Sequence, residues 1–123
     1  YGHSYERELM YLINDYRRQN NLNSLNIDSS IKPLSDIRAA EFSSNPRTGH
    51  ARPDGSSWDS VGNVQGENSA LISIRENNAQ ALFNAWKSSS SHDQNMLRSE
   101  FNSFYISVVS DGENLYAVNL FRR

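Results

Sequence analysis

FNSFYISVVSDGENLYAVNLF, residues 101–121, holds two runs rich in aromatic and β-branched side chains on either side of Asp111-Gly112-Glu113-Asn114. Such runs around an Asp-Gly step predict an antiparallel hairpin, because the glycine accepts the backbone angles that a tight reversal needs. Upstream the period changes. Ala79, Leu82, Phe83 and Trp86 fall at i, i+3, i+4 and i+7, one face of a helix. Tyr5, Leu9, Leu12, Ile13 and Tyr16 mark another helix over 5–19, with Ser4 as its expected cap. A third helix is expected over roughly 29–44, capped by Asp28 or Ser29, with Ile31, Leu34, Ile37 and Phe42 turned inward and an end near Pro46. Helices first and a hairpin last predict an α+β fold, antiparallel strands covered by helices.

The intervening segments are read more coarsely. NNLNSLNID (20–28) breaks the helical period and reads as a loop, and GENSALISI (66–74) as a short strand entering a turn. Residues 45–64 are dense in turn chemistry and are expected to form an ordered loop pinned by Trp58. Ser88–Ser91 reads as a flexible collar before a short helical turn, HDQNMLR (92–98).

Length and composition bound the function. A chain of 123 residues is expected to be one domain, 1–123, with a single core. Net charge is −2 and no stretch is densely basic, which argues against a nucleic-acid or anionic-membrane surface. The cations are ten Arg and only two Lys. Cysteine is absent, so disulfides and thiolate metal sites are excluded, and a metal would need His, Asp, Glu or water. No apolar stretch approaches the about 18 residues of a membrane span, and no signal peptide is read. None of the 15 Asn begins an N-x-Ser/Thr acceptor, which disfavours a eukaryotic secreted glycoprotein.

Three polar residues stand in loops or at element ends: His50, Glu67 and His92. His50 lies on the shoulder of a turn, since Pro53 fixes φ and Gly55 accepts φ > 0. If the three converge, two imidazoles and a carboxylate suit a divalent cation with open positions, or a general base with an orienting carboxylate. The spacing is not diagnostic, and hydrogen-bonded structural histidines with Glu67 capping a turn are the plainer alternative. A Ser-His pair at Ser88–Ser91 and His92 lacks the G-x-S-x-G elbow. The acidic positions Asp36, Glu41, Asp54, Asp59 and Glu67 do not have calcium-loop spacing. His3, near the start of the sequence, is assigned no role.

Taken together, HARPDG (50–55), GENSA (66–70), NAWKSSSSHDQNML (84–97) and YAVNLF (116–121) resemble the CAP superfamily, the SCP/PR-1-like domains, in its bacterial branch. Asn14, Arg17 and Leu22 match the family's opening N-x-x-R-x-x-x-x-L block, and IRAAEF (37–42) its Arg-Ala-x-Glu signature. The resemblance implies an α-β-α sandwich, with a small antiparallel sheet between helical layers and a surface cleft. It places His50, Glu67 and His92 in that cleft, with Glu41 as a further carboxylate nearby. Ser89 stands where many members carry a second cleft glutamate, so the full two-His, two-Glu set is incomplete. Where bacterial members often show Ser-Pro-Gly-His-Arg, this chain has Ser89-Ser90-Ser91-His92-Asp93. That loop is expected to be less rigid, and Asp93 is expected to favour a protonated His92 or a bound cation.

The resemblance further implies a secreted or cell-surface protein of Gram-positive type, monomeric as an isolated domain, with a protein or lipid ligand. The leading expectation is a non-enzymatic extracellular binding or interaction module holding a divalent cation such as Zn²⁺ through His50 and His92. The alternatives are a metal-assisted, protease-like hydrolase with Glu67 as general base, and a purely structural surface-protein domain.

Overall fold

The hairpin forms where its side chains favour it. Strand β3 (Ser103–Ser110) and strand β4 (Asn114–Arg122) pair antiparallel from Ser103↔Arg122 to Ser110↔Leu115. Gly112 takes φ +92°, and Asp111 Oδ1 accepts from the Glu113 and Asn114 N–H groups at 2.9 and 2.7 Å, closing the turn. The structure, a computed structural model, describes residues 3–76 and 78–123.

Strand β2 (Gly66–Ser73) pairs antiparallel with the other side of β4, and strand β1 (Asn26–Ile27) pairs parallel with β3. The sheet order is β1-β3-β4-β2. Residues 26–27 therefore leave the expected loop. Both are exposed, so no alternation of side chains signals a strand, which is held by backbone bonds such as Asn26 N–H to Asn102 C=O at 2.8 Å.

Helix α2 (Lys32–Ser44) covers the sheet face that carries Ser107, Tyr116 and Glu67. Helices α1 (His3–Gln19), α3 (Ala79–Lys87) and α4 (Ser90–Met96) pack together across the other face, giving the expected α-β-α sandwich. All four predicted apolar positions of α3 are buried, and Asn78 caps it through Ala81 N–H at 2.7 Å. Trp58 packs against the core from the ordered loop, which contains two short 3-10 turns. No helix among the described residues is long and apolar enough to cross a membrane.

Several expected details are corrected. Helix α1 begins at His3, so Ser4 is inside it. Helix α2 begins at Lys32 with Pro33 in its first turn, while Asp28 instead accepts from the Ser30 N–H and hydroxyl. Ile37 is 44% exposed. The buried stripe of α2 runs through Ile31, Ser35, Arg38, Ala39 and Phe42, so the helical period holds but two polar residues occupy it. Their partners explain this: Ser35 Oγ meets Ser107 Oγ at 2.6 Å, and Arg38 meets Glu67. Ser90 and Ser91 are helical, and Ser88 and Ser89 donate to Asn84 and Trp86 carbonyls, so the serine run is not a flexible collar.

Arg17 fixes α4 from below. Its guanidinium is buried without a carboxylate among its hydrogen-bond partners, which are the carbonyls of Asn23, Met96 and Arg98, each at 2.9 Å. Two of those carbonyls lie at the C-terminal end of α4, where the helix dipole favours a cation. Burial lowers the guanidinium pKa.

Candidate functional site

The residues around His50 are held by a chain of charges that begins inside α2. Arg38, fully buried, donates from Nε to Glu67 Oε2 at 2.7 Å and from Nη2 to Glu67 Oε1 at 2.9 Å. The same guanidinium reaches Glu41 Oε1 at 3.0 Å and the Gly49 carbonyl at 3.0 Å. Arg52 then grips both oxygens of Glu41 at 3.0–3.1 Å. One buried arginine thus joins α2, strand β2 and the loop that precedes His50. Hydrogen bonding to both arginines holds the Glu41 carboxyl below its usual range against the opposing effect of burial.

His50 is positioned by that loop. Gly49 takes φ +57°, a conformation that favours glycine. The His50 carbonyl accepts from Trp58 N–H at 2.8 Å, and Ala51 bridges Ser57 across the Pro-Asp-Gly turn. The imidazole Nδ1 lies 2.8 Å from Glu67 Oε1, while the ring remains 54% exposed. This hydrogen bond raises the His50 pKa above its ordinary value, burial opposes it, and the Glu67 charge adds to it. With Nδ1–H donating to the carboxylate, Nε2 is the free face of the neutral ring.

His92 is carried by α4, which Asn68 and Asn95 pin to the edge of β2. Asn68 donates to the His92 carbonyl at 3.0 Å, and Asn95 donates to Asn68 Oδ1 at 3.0 Å and to the Glu67 carbonyl at 3.3 Å. Ser89 Oγ meets His92 Nδ1 at 2.8 Å, one helical turn away. Asp93 does not assist this ring. Its carboxylate accepts from the Tyr16 hydroxyl at 2.6 Å, which pushes the Tyr16 pKa up to about 12. Burial, with a contribution from the charge of His50, lowers the His92 pKa, the reverse of the effect expected from Asp93.

The five expected positions therefore divide. His50 and Glu67 touch directly, His92 and Ser89 touch each other, and Glu41 is committed to arginines. Beside His50 opens a cavity of about 350 Å³ lined by His50, Trp58, Gln65, Glu67, Arg98 and Arg123, among others, with His92 outside its lining. Among the described residues no group of three or more His, Cys, Asp or Glu side chains is placed to hold a metal ion. Glu67 has both oxygens engaged, so it stands behind His50 as an orienting carboxylate. Sequence reasoning missed Arg38 as the centre of this network, although the Arg-Ala-x-Glu block contained it. It also missed Arg98 and Arg123, for which the excess of Arg over Lys was the only signal.

The cysteine-rich secretory protein family, CAP, matches over residues 10–121. This chain belongs to that family. The CAP domain here carries no cysteine, so no disulfide contributes to its fold. Solved structures agree in fold. An outer surface protein of Borrelia burgdorferi superposes with TM-score 0.77 at 19% identity, covering 98% of this chain and 94% of that one. An extracellular protein containing an SCP domain from Bacillus anthracis gives 0.78 at 18% identity, over 98% of this chain and 41% of that one. A cysteine-rich secretory protein from Staphylococcus aureus gives 0.70 at 16% identity, over 98% and 38%. The CAP domain thus spans less than half of the Bacillus and Staphylococcus chains. No curated protein sequence matches it.

Proposed function

We propose that this CAP domain is an extracellular binding module whose cleft recognises a ligand without turning it over. The observation that carries this reading is the state of Glu67, the residue a hydrolase would need as its base. Its side chain is fully buried, and both oxygens accept from Arg38 while one also meets His50. A buried carboxylate with both oxygens committed to internal donors has little left to offer a substrate water and serves as a brace. The outer-surface and extracellular proteins that share the fold support an extracellular setting.

A cation is a secondary part of this reading. Both histidines have Nδ1 engaged by an internal partner; in the Nδ1–H tautomer this leaves the Nε2 lone pair of each for a cation, and the charge of His50 acts on His92. Such orientation of a ligand imidazole by its other nitrogen is the usual support for a metal site. The donor set fits a weak site of two imidazoles, with other positions left to water or ligand, and falls short of the three protein ligands of catalytic zinc centres. A divalent ion there would supply positive charge for an electron-rich group of the ligand.

The test is titration of chelator-stripped protein with Zn²⁺, followed by the ring signals of His50 and His92, alongside assays on peptide and ester substrates. The expected result is one saturable event that moves both rings, disappears in His92→Ala and brings no turnover. Chelator-sensitive hydrolysis that Glu67→Gln removes would instead make this domain a hydrolase.

A further inference from the structure

The cavity beside His50 has an unequal charge balance. Of the acids in its lining, Glu67 is already offset by the buried Arg38 behind it. The remaining acid, Glu100, lies 3.6 Å from Arg98 and 3.6 Å from Arg123, longer than a good hydrogen bond in both cases. Two exposed guanidiniums therefore share one loosely held carboxylate, and the concavity is cationic in a chain whose net charge is −2.

The side chain of Arg98 and the backbone of Arg123 are also held in place. Asn95 Oδ1 accepts from Arg98 Nε at 3.1 Å, while its amide nitrogen is tied to Glu67 and Asn68. Gln65 Oε1 accepts from the Arg123 N–H at 2.8 Å, and its amide nitrogen donates to Asn63. The amides of the lining thus act as supports for the cations and are not idle ligand contacts. A guanidinium held at Nε, as in Arg98, presents its remaining N–H groups in a planar fork that matches an oxyanion, and Arg123 adds a second guanidinium from an anchored backbone. Trp58, half-buried at the rim, adds an apolar surface for the body of a ligand.

We propose that the cleft binds the anionic oxygen group of a small ligand, a carboxylate or a phosphate, with Arg98 and Arg123 as the binding residues. This rests on the reading of the domain as a binding module and names the class of its ligand. His50 lies in the same lining, beside the two arginines.

The experiment uses chelator-stripped, isotope-labelled protein titrated in parallel with inorganic phosphate and with malonate, at constant ionic strength set with chloride. Saturable shifts clustered at Gln65, Gly66, Asn95 and Arg98 are expected. Arg98→Ala and Arg123→Ala should each weaken binding at least about tenfold, about the worth of one charged hydrogen bond, whereas the exposed Arg75→Ala should not. The tighter of the two probes identifies the source of the oxyanion, and equal affinities support the shared class. Shifts that do not saturate, or that Arg75→Ala weakens equally, would overturn the proposal. A Zn²⁺ response at His50 and His92 without an anion response would remove this inference alone. Loss of both responses would remove the binding-module reading with it.

Discussion

Arg38 is the residue on which the site depends most. Removing its charge leaves the buried Glu67 with only His50 beside it, and breaking a buried pair from one side costs about 3–5 kcal/mol in comparable settings. Arg38→Met should lower the urea midpoint by a corresponding amount, and Arg38→Lys should recover little of it, because one ammonium cannot serve two carboxylates and the Gly49 carbonyl together. The two histidines offer a finer measurement. His50 should titrate above the ordinary histidine value of about 6.5 and His92 below it, as read by ring proton shifts. Glu67→Gln should lower the His50 value while leaving His92 below 6.5. Equal pKa values in the native protein would contradict the pairing described above.

At the scale of elements, Gly66 shows how a strand is shaped to leave room for its neighbours. A Cβ there would stand 2.7 Å from Phe101 Cζ and 3.3 Å from Phe121, whose rings stack at 4.9 Å. Gly66→Ala should destabilise by about 1–3 kcal/mol through overpacking, measured as a shift in the denaturant midpoint at unchanged slope. Much at this scale was legible beforehand. The hairpin, α3 and the strand after Gly66 each announce themselves through one periodicity. Helix α2 was legible as a helix but not in its full buried face, because the rule that apolar residues face inward selected Ile37 over Arg38. A buried arginine becomes intelligible only when its partner on another strand is known, and no spacing along the chain reports Glu67 from Arg38. Strand β1 failed for a different reason: its two side chains are exposed, and backbone pairing leaves no mark on composition.

For the whole molecule, the two histidines pull stability in opposite directions on either side of about pH 6.5. The raised His50 value contributes stability that is complete below the unfolded value and fades as pH rises through the folded one. The lowered His92 value leaves stability intact above the unfolded value and withdraws it as pH falls through the folded one. Between about pH 5.5 and 8, unfolding free energy should therefore peak near 6.5. His50→Asn should remove the decline on the alkaline side and His92→Asn the decline on the acid side, as followed by urea denaturation at fixed ionic strength. The convergence of His50 and Glu67 belongs to this scale too. It was available from the family resemblance and not from the residues between them, since α2 supplies the arginine that draws the loop and strand together.

The loop carrying His50 is closed twice over: Arg38 holds the Gly49 carbonyl, and the Ala51–Ser57 bridge pinches the Pro-Asp-Gly turn shut. Strain introduced at the tip is therefore confined to the tip. Gly55, at φ +87°, has open space where a Cβ would be. Lengthening a closed loop costs little, growing only with the logarithm of its length. A short Gly-Ser insert after Gly55 should leave the His50 pKa and the unfolding midpoint nearly unchanged, and with them a natural position for grafting a reporter or a recognition peptide beside the cleft.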